Sequence, residues 1–478
     1  MKVIKFILGI LLIANCNLKI EAQYSHNKTM PVNALKEDLQ IVKKNLEEVH
    51  PGLYAYYSKE QFDATFAEIA SHLNKKLTPL QFYRELLPLL PLIANNHTQI
   101  KCPKSYYDAI SSELLRFPFK LYHHGEKLYV HKDLSNEQLI SPGLEIISIN
   151  GLTSKEILDK MFSYASTDGF NKTLPSLAIS TVFSKYYAYY FDTPSIFIIK
   201  YINGNNEIKT AQIKGLLAPE LNKRRKNNVK YLPPDNSISF TIKEGIGYVK
   251  IPSFQPEKPR KFKNTIKKIF KTLKEKNISN LIIDVRNNGG GYGEAADEVF
   301  SYLISETVYP YKDEFALVDE IPYQEYYKKE MFFKHFKKQP LKQKGNTYHI
   351  KNISSEKIKP KNINYKGKLF VLQNAASASA TGLFLGLVKS YTNAKFIGEE
   401  AGGNPTETTA NDLLSMVLPN SGVRVTIPAL RTVMNSTFEH NGHGVVPDFE
   451  MIPTIDDILT GKDVVLEYAL KMLKNDVH

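Results

Sequence analysis

An apolar run, Leu369 to Leu372, ends in a turn built almost wholly of small residues, Asn374-Ala375-Ala376-Ser377-Ala378-Ser379-Ala380. A helix-like segment follows from Leu383 to Val388, then a second apolar strand from Lys395 to Gly398 and the pair Gly402-Gly403. Strand, tight turn and helix in that order call for a layered α/β unit with a hydroxyl at a helix N-terminus. Free backbone N–H groups and the helix dipole favour negative charge there. A serine nucleophile needs such a place, because its tetrahedral intermediate carries an oxyanion. The same small residues would also let a helix pack closely on a sheet, so the stretch alone leaves both readings open.

At 478 residues the chain has room for two or three domains, and 42% hydrophobic with 11% aromatic residues marks it as globular. The net charge of +13 comes from scattered lysines plus one dense cluster, Lys223-Arg224-Arg225-Lys226. That cluster reads as a solvated polar loop. It lacks the interleaved aromatic residues of a nucleic-acid platform, so no nucleic-acid partner is expected. Residues 1–22 have the form of an export signal: Lys2 and Lys5, an apolar run from Phe6 to Ala14, and Ala22 before a cut ahead of Gln23. The run is too short to span a membrane, and no other stretch reads as a transmembrane helix. A periplasmic or extracellular location is expected. Cys16 offers a site for lipid anchoring, but Asn15 before it fits that processing poorly. After cleavage only Cys102 remains, which makes no internal disulfide and no metal cluster. Neither metal nor cofactor is expected.

Read in order, residues 30–116 form an N-terminal helical domain. Leu35, Leu39, Val42, Leu46 and Val49 recur at helical spacing, and Pro51-Gly52 ends that helix. A second helix runs from Lys59 to Leu77, and Thr78-Pro79 opens a third. His97 lies where this helical unit hands over to a strand, Gln99 to Lys101. Residues 117–215 read as short strands, with Ser141-Pro142-Gly143, an apolar strand, Asn150-Gly151 and a helix from Ser154 to Phe162. This pattern resembles a PDZ domain, which captures an extended peptide along a sheet edge. Residues 216–236 read as a lysine-rich linker. Residues 237–475 alternate strands and helices, interrupted by an irregular insertion at 306–366. A hairpin is expected at 411–428, and one closing helix from Asp456 to Leu473.

The buried strand Leu281 to Val285 ends in Arg286-Asn287-Asn288-Gly289-Gly290-Gly291. Its glycines let backbone N–H groups approach a ligand, either a phosphate or an oxyanion. The spacing matches neither nucleotide-binding glycine motif. Asp284-Val285-Arg286-Asn287-Asn288, Asn374 to Ala380, Gly398-Glu399 with Gly402-Gly403, and Gly444-Val445-Val446-Pro447-Asp448 occur in that order. Together they resemble the tail-specific (C-terminal processing) serine peptidases. The likeness covers essentially residues 33 to 470.

The resemblance implies a ClpP/crotonase-like α/β catalytic core, with the N-terminal helical domain and an inserted PDZ-like β domain. One branch of the family pairs the serine with a lysine. Here Asn404 stands at that place and Glu399 to Pro405 holds no lysine. The other branch, like the tricorn core and the interphotoreceptor retinoid-binding protein repeats, takes its base from the N-terminal helical unit. This chain has Asn96-His97-Thr98 there, and Glu48 to Tyr54 resembles exported bacterial members. The resemblance thus makes Ser379 the nucleophile, with Ser377 as fallback, and His97 the general base. Ala380 with Gly290 or Gly291 would supply the oxyanion hole. Glu439 would orient the imidazole, with Asn96 and His443 as rivals; Asn441 occupies the position where the family pattern places that glutamate. The implied activity is an exported endopeptidase acting on peptide or protein substrates, captured through a C-terminus on the PDZ-like unit. Oligomeric state is left open. Two rival readings are a catalytically inactive peptide- or apolar-ligand-binding protein on the same fold, and an acyl-CoA enzyme, which would not explain the export signal.

Overall fold

The computed structural model describes residues 27–227, 237–327, 340–437 and 441–475. The export signal at 1–22, with Cys16, lies outside them. The helical unit holds α1 (Val32–Val49), α2 (Lys59–His72), α3 (Pro79–Leu86) and α4 (Leu89–Ile93). Ser58 and Thr78 close capping boxes with Gln61 and Gln81, so the chain starts α2 and α3 by local chemistry. The expected third helix breaks at Pro88, which stands between α3 and α4. Strand β1 (Gln99–Lys101) and helix α5 (Lys104–Ser112) follow.

The next unit contains β2 (Leu115–Arg116), β3 (Phe119–His124), β4 (Lys127–Asp133), β5 (Glu145–Ile149), β6 (Leu152–Thr153), α6 (Ser154–Phe162), α7 (Thr173–Tyr190), β7 (Ile196–Ile202), β8 (Ile208–Lys214) and β9 (Leu216–Leu217). Its main sheet runs β3-β4-β5-β7-β8, with β6 on β5. Helix α7, unexpected from sequence, packs along β3 and kinks at Val182. The linker expected at 216–236 is partly ordered: β9 pairs with β2, and Ala218–Asn227 forms helix α8. Arg224 and Arg225 therefore sit on a packed helix and not in a solvated loop. Arg224 donates to Leu134 and Ser135 carbonyls, both at 2.7 Å.

The third unit, an α/β layer, comprises β10 (Ser239–Lys243), β11 (Ile246–Lys250), α9 (Pro259–Glu275), β12 (Asn280–Asp284), α10 (Gly293–Phe300), β13 (Tyr311–Ala316), β14 (Leu341–Lys344), β15 (Thr347–Ile350), β16 (Lys368–Gln373), α11 (Ala380–Tyr391), β17 (Lys395–Gly398), β18 (Glu407–Thr408), β19 (Leu413–Val417), β20 (Arg424–Pro428), β21 (Arg431–Met434), β22 (Phe449–Glu450), α12 (Ile455–Thr460) and α13 (Val464–Asn475). Its central sheet runs β10-β11-β12-β16-β17-β22, parallel from β11 to β22. Alternation along β12 explains the layers. Leu281, Ile283 and Val285 face the apolar cluster of α9, α10 and α11, while Ile282 faces that of α13. The expected closing helix splits because Gly461 turns left-handed at the end of α12, freeing Asp463 to pair with Arg286.

The expected hairpin forms as β19 and β20, and β1 adds to it antiparallel, tying the helical unit to the α/β layer. Its turn docks on α1: Asp38 accepts the Asn420 and Ser421 amides at 3.1 and 2.8 Å. The 306–366 insertion is less irregular than expected, since β13, β14 and β15 join β21 and β18 in one sheet.

Candidate active site

Ser379 is the residue immediately before α11, with φ 55° and ψ −127°. A residue with a side chain rarely adopts this conformation, and such strain concentrates at functional turns. It leaves Ser379 half-buried, with no partner for its hydroxyl among the described residues. Ser377 is different. It is fully buried, donates to the Val285 carbonyl at 2.9 Å and accepts the Asn374 amide at 3.1 Å. Its hydroxyl is committed to shaping the turn.

The glycine turn after β12 clasps this serine turn. The Asn287 amide donates to Asn374 Oδ1 at 2.9 Å, the Asn374 side chain returns a bond to Asn287 Oδ1 at 3.0 Å, and the Ala378 amide donates to the Asn288 carbonyl at 3.2 Å. Gly290 lies directly against the serine. A Cβ there would sit 2.8 Å from the Ala378 carbonyl oxygen and 2.9 Å from the Ala380 nitrogen. The Gly290 amide donates to Asn288 Oδ1 at 2.9 Å. The Ala380 and Gly291 amides take no acceptor among the described residues.

The other two motifs buttress the turn from behind. Gln373 donates to the carbonyls of Glu399 and Val445, at 2.8 and 2.6 Å. The Gly403 amide donates to the Ser377 carbonyl at 3.2 Å, and a Cβ on Gly403 would lie 2.7 Å from the Ser379 nitrogen. Asn404 comes next, buried. Its Nδ2 donates to the Tyr56 hydroxyl at 2.9 Å, and its Oδ1 accepts the amide and hydroxyl of Thr406, both at 2.8 Å. The position that could carry a lysine is thus filled by a hydrogen-bonded neutral amide.

His97 is half-buried in the turn before β1. Asn95 Oδ1 sets that turn by accepting the His97 and Thr98 amides, both at 3.1 Å. Below lies His50, buried, whose Nδ1 accepts the Gly52 amide at 3.1 Å. That bond makes Nε2 the protonated nitrogen, which donates to Thr98 Oγ1 at 2.8 Å. Burial pushes the His50 pKa down to about 3, so it is neutral.

Sequence reasoning missed Asp168. Its Oδ1 accepts the Asn96 amide at 2.8 Å, next door to His97. Burial raises its pKa, and His97 is the foremost group drawing it back. One buried carboxylate therefore braces the His97 turn, and the Asn404 backbone, next to the glycine under Ser379, is among the groups lowering its pKa. The only local sequence sign is the Asp168-Gly169 turn dipeptide.

Glu439 lies outside the described residues. Of its rivals, Asn96 engages Asp168 through its backbone, and His443 faces Glu400, with Nδ1 3.2 Å from Oε1. Asn441 accepts the His443 amide at 3.1 Å. Among the described residues no group of three or more His, Cys, Asp or Glu side chains is placed to hold a metal. A cavity of about 980 Å³ opens beside the turn, lined by Ala375, Glu399, Tyr122, Phe162, Phe170 and Ile452 among others.

Residues 245–451 match the sequence profile of peptidase family S41. Two solved structures of mature CPAF share the architecture. The complex with lactacystin is 16% identical, with a TM-score of 0.61 over 92% of this chain and 98% of that one. Mature CPAF in a second crystal structure is 15% identical, with a TM-score of 0.61 over 92% and 96%. At such identity the likeness is one of fold. No curated protein matches the sequence.

Proposed function

Because the chain belongs to peptidase family S41 and is a serine-type peptidase, we propose that it is an exported endopeptidase in which Ser379 attacks the peptide carbonyl and His97 is the general base. The observation that carries this reading is the serine turn itself: Ser379 sits at φ 55° just before α11 with its hydroxyl unpartnered among the described residues, while Asp168 holds the Asn96 amide beside His97. A serine hydroxyl near neutral pH is a weak nucleophile, and an imidazole supplies the missing basicity. His97 takes the Oγ proton as the C–O bond forms. It then gives that proton to the departing amine as the C–N bond breaks. Water, deprotonated by the same imidazole, releases the acyl group and restores Ser379. The Ala380 amide at the start of α11 and the Gly291 amide meet the oxyanion; each such donor is worth roughly 3–4 kcal/mol in the transition state. Asp168 acts as a positioning residue for His97.

Residues 117–215 are read as the PDZ-like unit that presents the substrate. In support, β3 and β8 are the two ends of its sheet, where an extended peptide can add a strand. Residues 1–22 are read as the export signal. The test is a serine-reactive fluorophosphonate probe. The wild-type protein is expected to be labelled and Ser379→Ala to be unlabelled. A folded wild type that resists labelling overturns the reading, and labelling that survives in Ser379→Ala removes this nucleophile.

A further inference from the structure

Strands β12, β16 and β17 are neighbours in the central sheet, and all three begin on the edge opposite the serine turn. A cavity of about 1020 Å³ opens at that edge. The six residues of β16 separate it from the turn, a span of roughly 17 Å. Lys366, Lys368 and Lys395 line it, with Ser279, Asn280 and Asn393. The register sets Asn280 opposite Lys368 and Phe370 opposite Lys395. Alternation along the strands then puts Asn280, Lys368 and Lys395 on one face of the sheet. Gly367, between two of the lysines, closes the wall tightly: a Cβ there would lie 2.3 Å from the Ser279 carbonyl oxygen.

Among the described residues no carboxylate lines this cavity. Glu306 follows the lining residue Ser305 and is exposed. Asp448 accepts the Phe396 amide at 2.7 Å and faces Lys389 at 3.8 Å. Lys366 and Lys395 have no carboxylate partner among the described residues, and the side chains of Ser279, Asn280, Ser305 and Asn393 find no hydrogen-bond partner among them. Helix α9 descends to the same edge and ends shortly before Ser279. Its exposed face is basic, with Lys263, Lys267, Lys268, Lys271 and Lys274, and its one carboxylate, Glu275, is paired with Lys271 at 3.4 Å. Such a stripe raises the local concentration of anions beside the cavity. Ammonium groups hold phosphate as point charges, and neutral hydroxyl and amide donors can serve its remaining oxygens. No arginine among the described residues lines the wall to fork onto a planar carboxylate.

We propose that Lys366, Lys368 and Lys395 form a binding site for a phosphate-bearing ligand on the sheet edge opposite Ser379, with α9 as its basic approach. The site does not depend on the peptidase reading. Two sources share this chemistry, the headgroup of an anionic lipid and a soluble phosphate, and the test separates them. The full chain is titrated with inorganic pyrophosphate by calorimetry, and is sedimented with phosphatidylcholine vesicles with and without phosphatidylglycerol. At least one anionic probe is expected to bind, and Lys366→Gln combined with Lys395→Gln should weaken that binding about tenfold or more. Lys200→Gln combined with Lys214→Gln removes the same charge from the exposed face of β7 and β8, and should weaken it by less than about twofold, because salt screens so distant a change. All four lysines are exposed, so both double variants should fold, as circular dichroism will show. Pyrophosphate binding puts the source in solution; binding to phosphatidylglycerol vesicles alone puts it in a headgroup. Binding of neither probe overturns the site. Equal losses in the two double variants also overturn it, since the net charge of +13 would then be the whole attraction.

Discussion

The Asn96 amide donates to Asp168 Oδ1 at 2.8 Å, so the residue beside His97 is held by a buried carboxylate. Asp168→Asn keeps the shape and removes the charge. Burial raises the Asp168 pKa, so the ionised form contributes no folding stability at neutral pH and the variant should stay folded. Its kcat should fall by about 100-fold or more with little change in KM. Because the pKa is raised, protonation of Asp168 should produce an acid limb in the wild-type rate profile above the ordinary carboxylate range, and the variant should lack it. Steady-state kinetics across pH check both points. An unchanged kcat would leave Asp168 as a mere loop tie.

Gly290 and Ala380 give a second prediction. A methyl group on Gly290 would stand 2.9 Å from the Ala380 nitrogen, in the space the oxyanion needs, and the residue's φ of 100° strains any side chain. Gly290→Ala should lower kcat by about 100-fold or more while the protein still folds. Probe labelling beside circular dichroism checks this. Full labelling would place the oxyanion elsewhere.

The two serines of the turn should separate cleanly. Ser377→Ala leaves the Val285 carbonyl and Asn374 amide without their buried partner, costing about 1–3 kcal/mol of stability. It should retain labelling. Ser379→Ala removes a half-buried hydroxyl with no partner among the described residues, so stability should hold while labelling vanishes. Denaturant melts and labelling of both variants test the pair. Labelling that depends on Ser377 instead would reverse the assignment.

What could be read from sequence was local. Thr78 and Pro79 announce a helix start, Leu281 to Val285 a buried strand, Pro419 to Gly422 a hairpin, because each signal sits within a few neighbours. The apolar pattern through Pro88 and through Gly461 looked continuous, and only backbone chemistry broke it. Asp168 was invisible for another reason. It meets Asn96 across 72 residues, and no periodicity links loops that converge only after packing. Arg225 misled likewise. A run of four basic residues reads as solvated, yet β9 pairs with β2 and carries the helix that follows onto the domain surface.

Buried titratable groups give the last prediction, through His50 and Asp297. Burial holds the folded His50 pKa at about 3, below its unfolded value near 6.5, so the unfolded chain binds the proton more tightly. Stability from His50 is complete above pH 6.5 and is lost as pH falls toward 3, at about 1.4 kcal/mol per unit. Asp297 runs the other way. Burial first, then Glu294 and Glu356, push its folded pKa to about 7, above the unfolded 3.8. Its contribution is complete below pH 3.8 and is lost as pH rises to 7. Between pH 3.8 and 6.5 the two slopes oppose each other, so this pair hides its own pH dependence in the wild type. Asp297→Asn should be about 1–3 kcal/mol more stable than wild type at pH 8 and should lose stability more steeply on acidification. His50→Gln should tilt the curve in the opposite sense, and should slow labelling at Ser379, because Thr98 and the turn of His97 rest on His50. Urea melts of the three proteins at pH 4.5, 6 and 8 decide it. Parallel curves would mean that neither group titrates as its burial requires.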